Sequence, residues 1–322
     1  MNFHKDIIRL ENVSDICERL QKEIKTHIEQ TLHRRGAVVG ISGGIDSSVC
    51  MALTARAIGP NRVTGIMMPE KDSNPESARL ATILAEKFEV QTLTEDITAA
   101  LEGVNCYRRR DEAVSRVFPQ YNPETYKMKI GINQSSLTTN LPPVFHLTIV
   151  DANGKEENKM LPPNEYAQIV ASSNFKQRCR MSMLYYHAER LHYTVIGTPN
   201  KHEIEQGFFV KYGDGGADLM PIGKFFKTQV YQIAEYLGVP HEIIARTPTT
   251  DTYTAEQTQE EFFYQLPFAQ MDILWYAFEN KISPAVVGNE LSMEAIVVEK
   301  IFTNFIRKQQ TTDYLRRSPI HF

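Results

Sequence analysis

Residues 37–48 read Ala-Val-Val-Gly-Ile-Ser-Gly-Gly-Ile-Asp-Ser-Ser, and this stretch decides the fold. Its first five residues are apolar or glycine and have the length of a buried strand. Two adjacent glycines, Gly43 and Gly44, come next, and a helix is predicted over residues 47–58. A strand, a glycine-rich turn and a helix in this order are typical of a parallel α/β sheet. In such sheets the loop after the strand lies where ligands bind.

The rest of the chain repeats this alternation of strands and helices. The other predicted elements are helices at 13–35, 75–88, 174–191, 225–237 and 292–308, and strands at 63–67, 90–93 and 193–196. Asn74 and Pro75 have the layout of a helix N-cap followed by a proline in the first turn. We therefore predict an α/β fold, a doubly wound parallel sheet with flanking helices and a helical C-terminal part.

Residues 105–165 interrupt this alternation. They contain six of the 16 prolines and a strand-like run at 144–150. Asn153-Gly154 follows this run and is a strong signal for a hairpin turn. We predict a single unit over residues 1–322, with an insertion at 105–165 that contains a β-hairpin.

Composition excludes several classes of protein. The net charge of −4 argues against a non-specific nucleic-acid binder, and no apolar run approaches the roughly 18 residues of a membrane span. We expect neither a nucleic-acid nor a membrane partner. The first six residues lack the apolar core of a signal peptide, so a cytoplasmic location is expected. The four cysteines are far apart in sequence, which predicts reduced, mostly buried thiols rather than a zinc site.

The loop over residues 42–48 has the chemistry of a phosphate site. Its candidate phosphate ligands are Ser42, Gly43, Gly44, Ser47 and Ser48. Adjacent glycines let backbone N–H groups approach a phosphate, and the following helix N-terminus adds partial positive charge. Asp46 would repel an anion, but it fits if it holds Mg²⁺ against the phosphates. The alternative is a Gly-Gly turn in which Asp46 caps the helix.

This loop resembles the pyrophosphate-binding loop Ser-Gly-Gly-x-Asp-Ser of the N-type ATP pyrophosphatases. Members cleave ATP between the α- and β-phosphates and activate a substrate as its adenylate. Further blocks resemble the ammonia-dependent NAD synthetase family, and they lie at 174–181 (Asn-Phe-Lys-Gln-Arg-Cys-Arg-Met), 197–203 (Gly-Thr-Pro-Asn-Lys-His-Glu), 207–218 (Gly-Phe-Phe-Val-Lys-Tyr-Gly-Asp-Gly-Gly-Ala-Asp), 221–230 and 248–251. The likeness covers residues 36–100 and 170–275.

The resemblance implies an adenine nucleotide alpha-hydrolase-like fold and an ATP-dependent amide ligase. Such an enzyme adenylates the nicotinate carboxylate of nicotinate adenine dinucleotide, releases pyrophosphate and lets ammonia displace AMP to form NAD. ATP is then a cosubstrate, Mg²⁺ a cofactor, and the protein a homodimer with substrate near the interface. The resemblance also places Thr198, Lys227 and Thr249 with the loop at the nucleotide.

Besides Asp46, three side chains are candidates for the reaction itself. Glu203 follows a strand end, where it can face Asp46 so that two carboxylates hold Mg²⁺; the alternative is a surface glutamate. Lys227, at a helix start, is a candidate partner of the leaving pyrophosphate, unless it is a solvated lysine. Asp214 can orient ammonium or take its proton, unless it only shapes an Asx-turn.

The acceptor side is predicted from one helix and a glycine-rich loop. Arg178 and Tyr185 are seven residues apart and share a helix face, so they can bind a phosphate and stack on a ring. A salt bridge and a core tyrosine are the alternative. The predicted substrate-binding set is Arg178, Tyr185, Lys211, Asp214, Asp218 and Arg316.

Several positions depart from the family pattern. Gln259 replaces an aspartate, Val170 replaces a phenylalanine, and residues 314–316 replace a His-Lys-Arg segment. Because these changes cluster on the acceptor side, a second hypothesis keeps the adenylation and amidation chemistry on a different carboxylate. A tRNA-modifying enzyme is disfavoured because neither catalytic cysteines nor a basic surface is indicated. The intact Asp46, Glu203 and Lys227 argue against a nucleotide sensor without activity.

Overall fold

The computed structural model describes residues 3–132, 144–249 and 252–322. Its strands are β1 (Ala37–Gly40), β2 (Val63–Met67), β3 (Gln91–Thr94), β4 (Lys127–Ile132), β5 (Phe145–Val150), β6 (Glu156–Met160) and β7 (Thr194–Ile196). Its α-helices are α1 (Val13–Thr26), α2 (Ile45–Ile58), α3 (Pro75–Lys87), α4 (Thr98–Gly103), α5 (Cys106–Val117), α6 (Pro163–Leu191), α7 (Lys201–Gln206), α8 (Lys227–Leu237), α9 (His241–Ala245), α10 (Phe268–Glu279), α11 (Pro284–Leu291) and α12 (Ala295–Arg316).

The main sheet is parallel and has the strand order β3-β2-β1-β7. Ala37 in the central strand β1 pairs with Val63 on one side and with Thr194 on the other. Successive side chains of β1 face opposite layers, since Val39 packs with α1, α2 and α8, and Val38 packs against α6. Both faces are therefore covered by helices, which explains the continuous apolar run of this strand. The predicted doubly wound α/β fold is confirmed.

The 105–165 stretch contributes α5 and a three-stranded antiparallel sheet of order β4-β5-β6. The predicted hairpin is present as β5 and β6, joined through a turn in which the Asp151 N–H donates to the Lys155 carbonyl at 3.0 Å. Strand β4 was not predicted. Met128 and Ile130 on this strand point into a small core that also contains Ile169 of α6 and Tyr253.

Several boundaries differ from the predictions, and α12 ends at Arg316 rather than at the predicted residue 308. The helix predicted over 174–191 begins at Pro163, so the start expected at Asn174 is wrong. Pro163 fits the first turn, where a missing N–H costs no hydrogen bond, and the apolar side chains that follow keep the helix packed. The helix predicted over 13–35 ends earlier, because α1 passes at Thr26 into a π-turn over His27–Thr31.

The C-terminal part is helical, as predicted, and α10, α11 and α12 form a second core around Trp275 and Phe305. All four cysteines are free, and three of them are buried. Across residues 3–132, 144–249 and 252–322, no helix is both long and apolar enough to cross a bilayer.

Candidate active site

A pocket of about 670 Å³ lies at the carboxyl ends of the parallel strands. Its walls come from the loop after β1, the segment after β2, the middle of α6, the loops before and after α7, and the start of α8. This is the edge at which parallel α/β sheets bind ligands. The location agrees with the one predicted from the loop over residues 42–48.

The conformation of the loop after β1 depends on a glycine and on hydrogen bonds from serine hydroxyls. Gly43 has φ +72°, and a Cβ there would lie 2.5 Å from the Ser77 carbonyl oxygen, so the position requires glycine. The hydroxyls of Ser47 and Ser48 donate to the Gly44 carbonyl oxygen at 3.0 and 2.8 Å. Gly44 is the residue before the first turn of α2, so that helix points its N-terminus into the pocket.

The candidate phosphate ligands of this loop divide into two groups. Ser42, Gly44 and Ser47 line the pocket. Gly43 is buried below the loop surface, and Ser48 is fully buried. Asp46 lines the pocket from the first turn of α2, because Gly44 occupies the N-cap position. The alternative that Asp46 caps the helix is therefore wrong.

The structure brings Asp46, Lys227 and Glu203 together. The Lys227 ammonium is fully buried and donates to Asp46 Oδ2. Asn200 links Asp46 to Glu203. Its Nδ2 lies 3.4 Å from Asp46 Oδ1, and its backbone N–H donates to Glu203 Oε2 at 2.8 Å. Asn200 and Glu203 form a capping box at the start of α7. An Asn with a Glu three residues later is a sequence signal for such a box, and it could have revealed Asn200.

Beside the loop over residues 42–48, the Asp46 and Glu203 carboxylates share a single ammonium, that of Lys227. Burial and the neighbouring Asp46 carboxylate raise the pKa of Glu203 to about 8, although Lys227 opposes this shift. Burial alone would lower the pKa of Lys227, but the Asp46 and Glu203 carboxylates outweigh burial and raise it. Burial also raises the pKa of Asp214 to about 6, against the backbone N–H of Val210. A cation bound between these carboxylates would relieve their repulsion.

Asp46 and Glu203 fit a hard divalent cation such as Mg²⁺. Their carboxylates offer oxygen donors beside the loop over residues 42–48, and a bound cation would relieve their mutual repulsion. Within the described part of the chain, no three His, Cys, Asp or Glu side chains are arranged so that they could hold a metal ion together. Ligation would therefore rest on two carboxylates with substrate oxygens completing the set, as is usual for Mg²⁺.

Some of the other predicted residues line the pocket, and others do not. Thr198, Thr249 and Asp214 line the pocket, and so do Val170 and Gln259, two of the positions that depart from the family pattern. The amide oxygen of Gln259 is buried and has no hydrogen-bond partner among the described residues.

Arg178 and Tyr185 are not among the residues that line the pocket. Arg178 is exposed and donates to the Lys211 carbonyl oxygen at 3.3 Å. The Tyr185 hydroxyl donates to Asp218 Oδ1 at 3.1 Å, and Asp218 Oδ2 accepts the Val195 N–H at 2.8 Å. These contacts fix the loop after α7 against the sheet.

Lys211 and Arg316 also lie outside the pocket, where Lys211 contacts the end of α12 and Arg316, the last residue of α12, contacts α7. Lys211 Nζ donates to the Tyr314 and Arg317 carbonyl oxygens at 2.9 and 2.8 Å. Arg316 Nη1 donates to the Ile204 carbonyl oxygen at 3.1 Å. Of the six predicted acceptor residues, Asp214 alone lines the pocket.

Sequence reasoning missed a buried ionic network of four side chains, of which Glu70 and Lys176 line the pocket. Lys176 Nζ donates to Glu70 Oε1 at 2.8 Å and to Asp72 Oδ2 at 2.9 Å. Arg110 of α5 also donates to Asp72 Oδ2, at 2.6 Å, and the Tyr107 hydroxyl donates to Glu70 Oε2 at 2.8 Å. We call Glu70, Asp72, Arg110 and Lys176 the paired wall. No spacing in the sequence connects these residues.

Comparison with known proteins settles the family. Residues 15–118 and 144–319 match the family model described as NAD synthase. The chain belongs to the NAD synthase family. An NH(3)-dependent NAD(+) synthetase of Mesorhizobium japonicum is 44% identical over 303 residues, covering 94% of this chain and 94% of that protein. Residues 119–143, which the family model leaves unmatched, lie within the predicted insertion.

Solved structures show the NAD synthase fold as well. The NMN synthetase of Francisella tularensis superposes with a TM-score of 0.63 at 20% identity, covering 96% of this chain and 98% of that chain. The NH3-dependent NAD synthetase of Campylobacter jejuni gives a TM-score of 0.61 at 20% identity, covering 96% and 99%. At this identity the likeness establishes the fold alone. The predicted family and fold are both confirmed.

Proposed function

We propose that this member of the NAD synthase family is an ammonia-dependent NAD synthetase. It would couple cleavage of ATP to AMP and pyrophosphate to amidation of nicotinate adenine dinucleotide. The observation that carries the proposal is the grouping of Asp46, Glu203 and Lys227 beside the loop over residues 42–47. This grouping supplies what adenylation requires, which is a phosphate cradle, carboxylates for a divalent cation and a buried ammonium.

In the first half-reaction the substrate carboxylate attacks the α-phosphate of ATP. The backbone N–H groups of the loop, with the hydroxyls of Ser42 and Ser47, would bind the phosphates. Asp46 and Glu203 would hold Mg²⁺, which supplies charge neutralisation at the phosphates when bound. The Lys227 ammonium would move from Asp46 to the leaving pyrophosphate, whose developing charge it stabilises.

In the second half-reaction ammonia attacks the carbonyl carbon of the adenylate, and AMP leaves. Adenylation turns a poor leaving group into a good one. Asp214 lines the pocket, and burial brings its pKa to about 6, which lies close to neutrality. A carboxylate poised in this range is suited to accept the proton that the attacking nitrogen releases.

An endpoint assay tests this proposal. Purified protein, Mg²⁺, ATP and ammonium are incubated with and without nicotinate adenine dinucleotide, and NAD and pyrophosphate are both measured. We expect one NAD for each pyrophosphate, and neither product above background without the acceptor.

The competing proposal is the same chemistry on another carboxylate, and one observation favours it. Val170 and Gln259, which depart from the family pattern, both line the pocket, so the acceptor surface itself is altered. Parallel reactions with nicotinate mononucleotide and other carboxylates separate the two proposals. Pyrophosphate released with one of these acceptors, but not with nicotinate adenine dinucleotide, would favour the second.

We further propose that the protein acts as a homodimer in the cytoplasm. Exposed Arg178 and the neighbouring Lys211 lie outside the pocket of a single chain, where a second subunit could bring them to a shared substrate. Four free thiols suit a reducing compartment. Sedimentation at micromolar concentration should show twice the chain mass, and a monomer there would contradict the dimer.

A further inference from the structure

A network of buried polar side chains lies behind the pocket, between α7, α8 and α10. Asp272 of α10 and His202 of α7 are both fully buried. One carboxylate oxygen of Asp272 lies 2.6 Å from His202 Nε2. The other accepts the Thr228 backbone N–H at 2.8 Å and the Thr228 hydroxyl at 2.6 Å. A single carboxylate therefore joins the first turn of α7 to the first turn of α8.

From Lys308 to Asp272, the hydrogen bonds of this network all point the same way, with each group donating to the next. Lys308 Nζ lies 3.4 Å from Gln206 Oε1, which assigns that atom as the oxygen of the amide. Gln206 Nε2 then donates to His202 Nδ1 at 3.1 Å. With Nδ1 accepting, the proton of a neutral imidazole is on Nε2, from which it is donated to Asp272. Every polar atom of the His202 ring is thereby satisfied inside the protein.

The two turns joined by Asp272 carry the groups proposed for adenylation. Glu203 directly follows His202, and Lys227 directly precedes Thr228. Lys227 donates to Asp46, so any shift between the two turns would change how Lys227 and Glu203 lie around that carboxylate. One backbone bond, from the Lys201 N–H to the Phe225 carbonyl oxygen at 3.0 Å, also joins the two segments. Asp272 adds a charged link on the side away from Asp46, which itself contacts both Lys227 and Asn200.

We propose that Asp272 is a positioning residue for the adenylation site. Its carboxylate fixes the spacing between α7 and α8, so that Glu203 and Lys227 approach Asp46 together. Asp272 contacts neither of them through its side chain and acts through His202 and Thr228. Hydrogen bonds to a charged acceptor are stronger than neutral ones, and a shift of about 1 Å at a catalytic group costs on the order of 100-fold in rate. This inference rests on the proposed function.

Asp272→Asn is the first test. The amide oxygen can still accept from Thr228, but the NH₂ group would face the His202 Nε2–H, so two donors meet and the α7 end of the link is lost. We expect kcat to fall by about 10–100-fold, with KM for ATP and for the acceptor changed by less than about threefold. A purely structural role would lower the melting temperature and leave kcat per folded molecule unchanged.

Thr228 provides a second test that keeps the charge in place. Thr228→Val removes only the hydroxyl donor, and kcat should fall by about 3–10-fold, whereas Thr228→Ser should keep kcat within about twofold of wild type. Thr148→Val is the matched control, because it removes a buried hydroxyl from β5, which belongs to the separate antiparallel sheet. We expect it to leave kcat unchanged.

Hydrogen exchange read by mass spectrometry gives a readout that does not depend on activity. Asp272→Asn should speed exchange in residues 201–206 and 227–231 and leave α3 as in wild type. Folded Asp272→Asn and Thr228→Val proteins with wild-type kcat and wild-type exchange would overturn the inference. Absence of NAD formation by wild type would instead overturn the proposed function, while the exchange data would still decide whether Asp272 joins the two turns.

Discussion

The two walls of the pocket carry charge in opposite ways. On the side of the phosphate loop, Asp46 and Glu203 share one ammonium, that of Lys227. We call these three residues the nucleotide wall. Their carboxylates repel each other, so burial and Asp46 raise the pKa of Glu203. This shortage of positive charge supports our proposal that the nucleotide wall receives a cation and phosphates from outside the chain.

The paired wall is as densely charged but neutralises itself. Lys176 is surrounded by Glu70 Oε1, Asp72 Oδ2 and the Thr252 carbonyl oxygen, all within 3.1 Å. Burial alone would raise the pKa of Asp72, but Lys176 and Arg110 outweigh burial and lower it. Buried charges that satisfy one another stabilise a fold, whereas buried charges left in excess mark a binding site.

Lys176→Met gives the largest expected effect and tests the structural assignment of the paired wall. Removing the ammonium leaves the Glu70 and Asp72 carboxylates partly unpaired in the interior, which should lower the free energy of unfolding by about 3–5 kcal/mol. Urea denaturation measures this free energy of unfolding. Lys129→Met is the matched control, because its ion pair with Glu156 is partly exposed and should contribute less than about 1 kcal/mol. Equal losses in the two variants would contradict the comparison.

Asp46→Asn tests the nucleotide wall, where we expect loss of activity rather than of stability. Pyrophosphate and NAD formation should fall by about 100–1000-fold, because a ligand of the proposed cation and the partner of Lys227 is lost. The free energy of unfolding should change by less than in Lys176→Met, since Glu203 can take over the Lys227 ammonium. Asp151→Asn in the β5–β6 turn is the control. A variant that keeps wild-type turnover would refute the assignment of Asp46.

The two walls also differ in how far the sequence predicts them. The phosphate loop is a local motif of seven residues between a strand and a helix, so its position and chemistry follow from short-range order. The ion pair between Glu70 and Lys176 joins residues 106 positions apart, and nothing in either neighbourhood specifies the partner. Such pairs depend on tertiary packing and need the folded structure.

The fold shows the same division. The strands of the main sheet and the helices that flank it were predicted because their apolar residues follow the patterns expected of buried strands and amphipathic helices. Strand β4 was missed although Met128 and Ile130 alternate with lysines in its sequence, a period-two signal that was available. The start of α6 was placed 11 residues late, because Asn174 stands in a recognisable motif in the middle of that helix rather than at its end. A sequence motif is therefore a poor guide to where a helix begins or ends.

Glu203→Gln gives the smallest effect and links the nucleotide wall to pH. The pKa of Glu203 is about 8 in the folded protein, against 4.5 for the ordinary side chain. Between these values the folded state holds a proton that the unfolded chain has released, so stability is lost as the pH rises through this window. Glutamine cannot titrate. Relative to wild type, Glu203→Gln should therefore be more stable at pH 8 than at pH 5.

At about 1.4 kcal/mol per pKa unit the full shift would give several kcal/mol, but Glu203 is only partly buried and solvent screens it, so the difference should be on the order of 1 kcal/mol. Urea denaturation in a metal-free buffer at both pH values measures it, with the exposed Glu156→Gln as control. Added Mg²⁺ should remove the advantage of the variant, because a bound cation favours the ionised carboxylate. A difference that is the same at both pH values would mean that Glu203 is already balanced by Lys227, and the contrast between the two walls would then be lost.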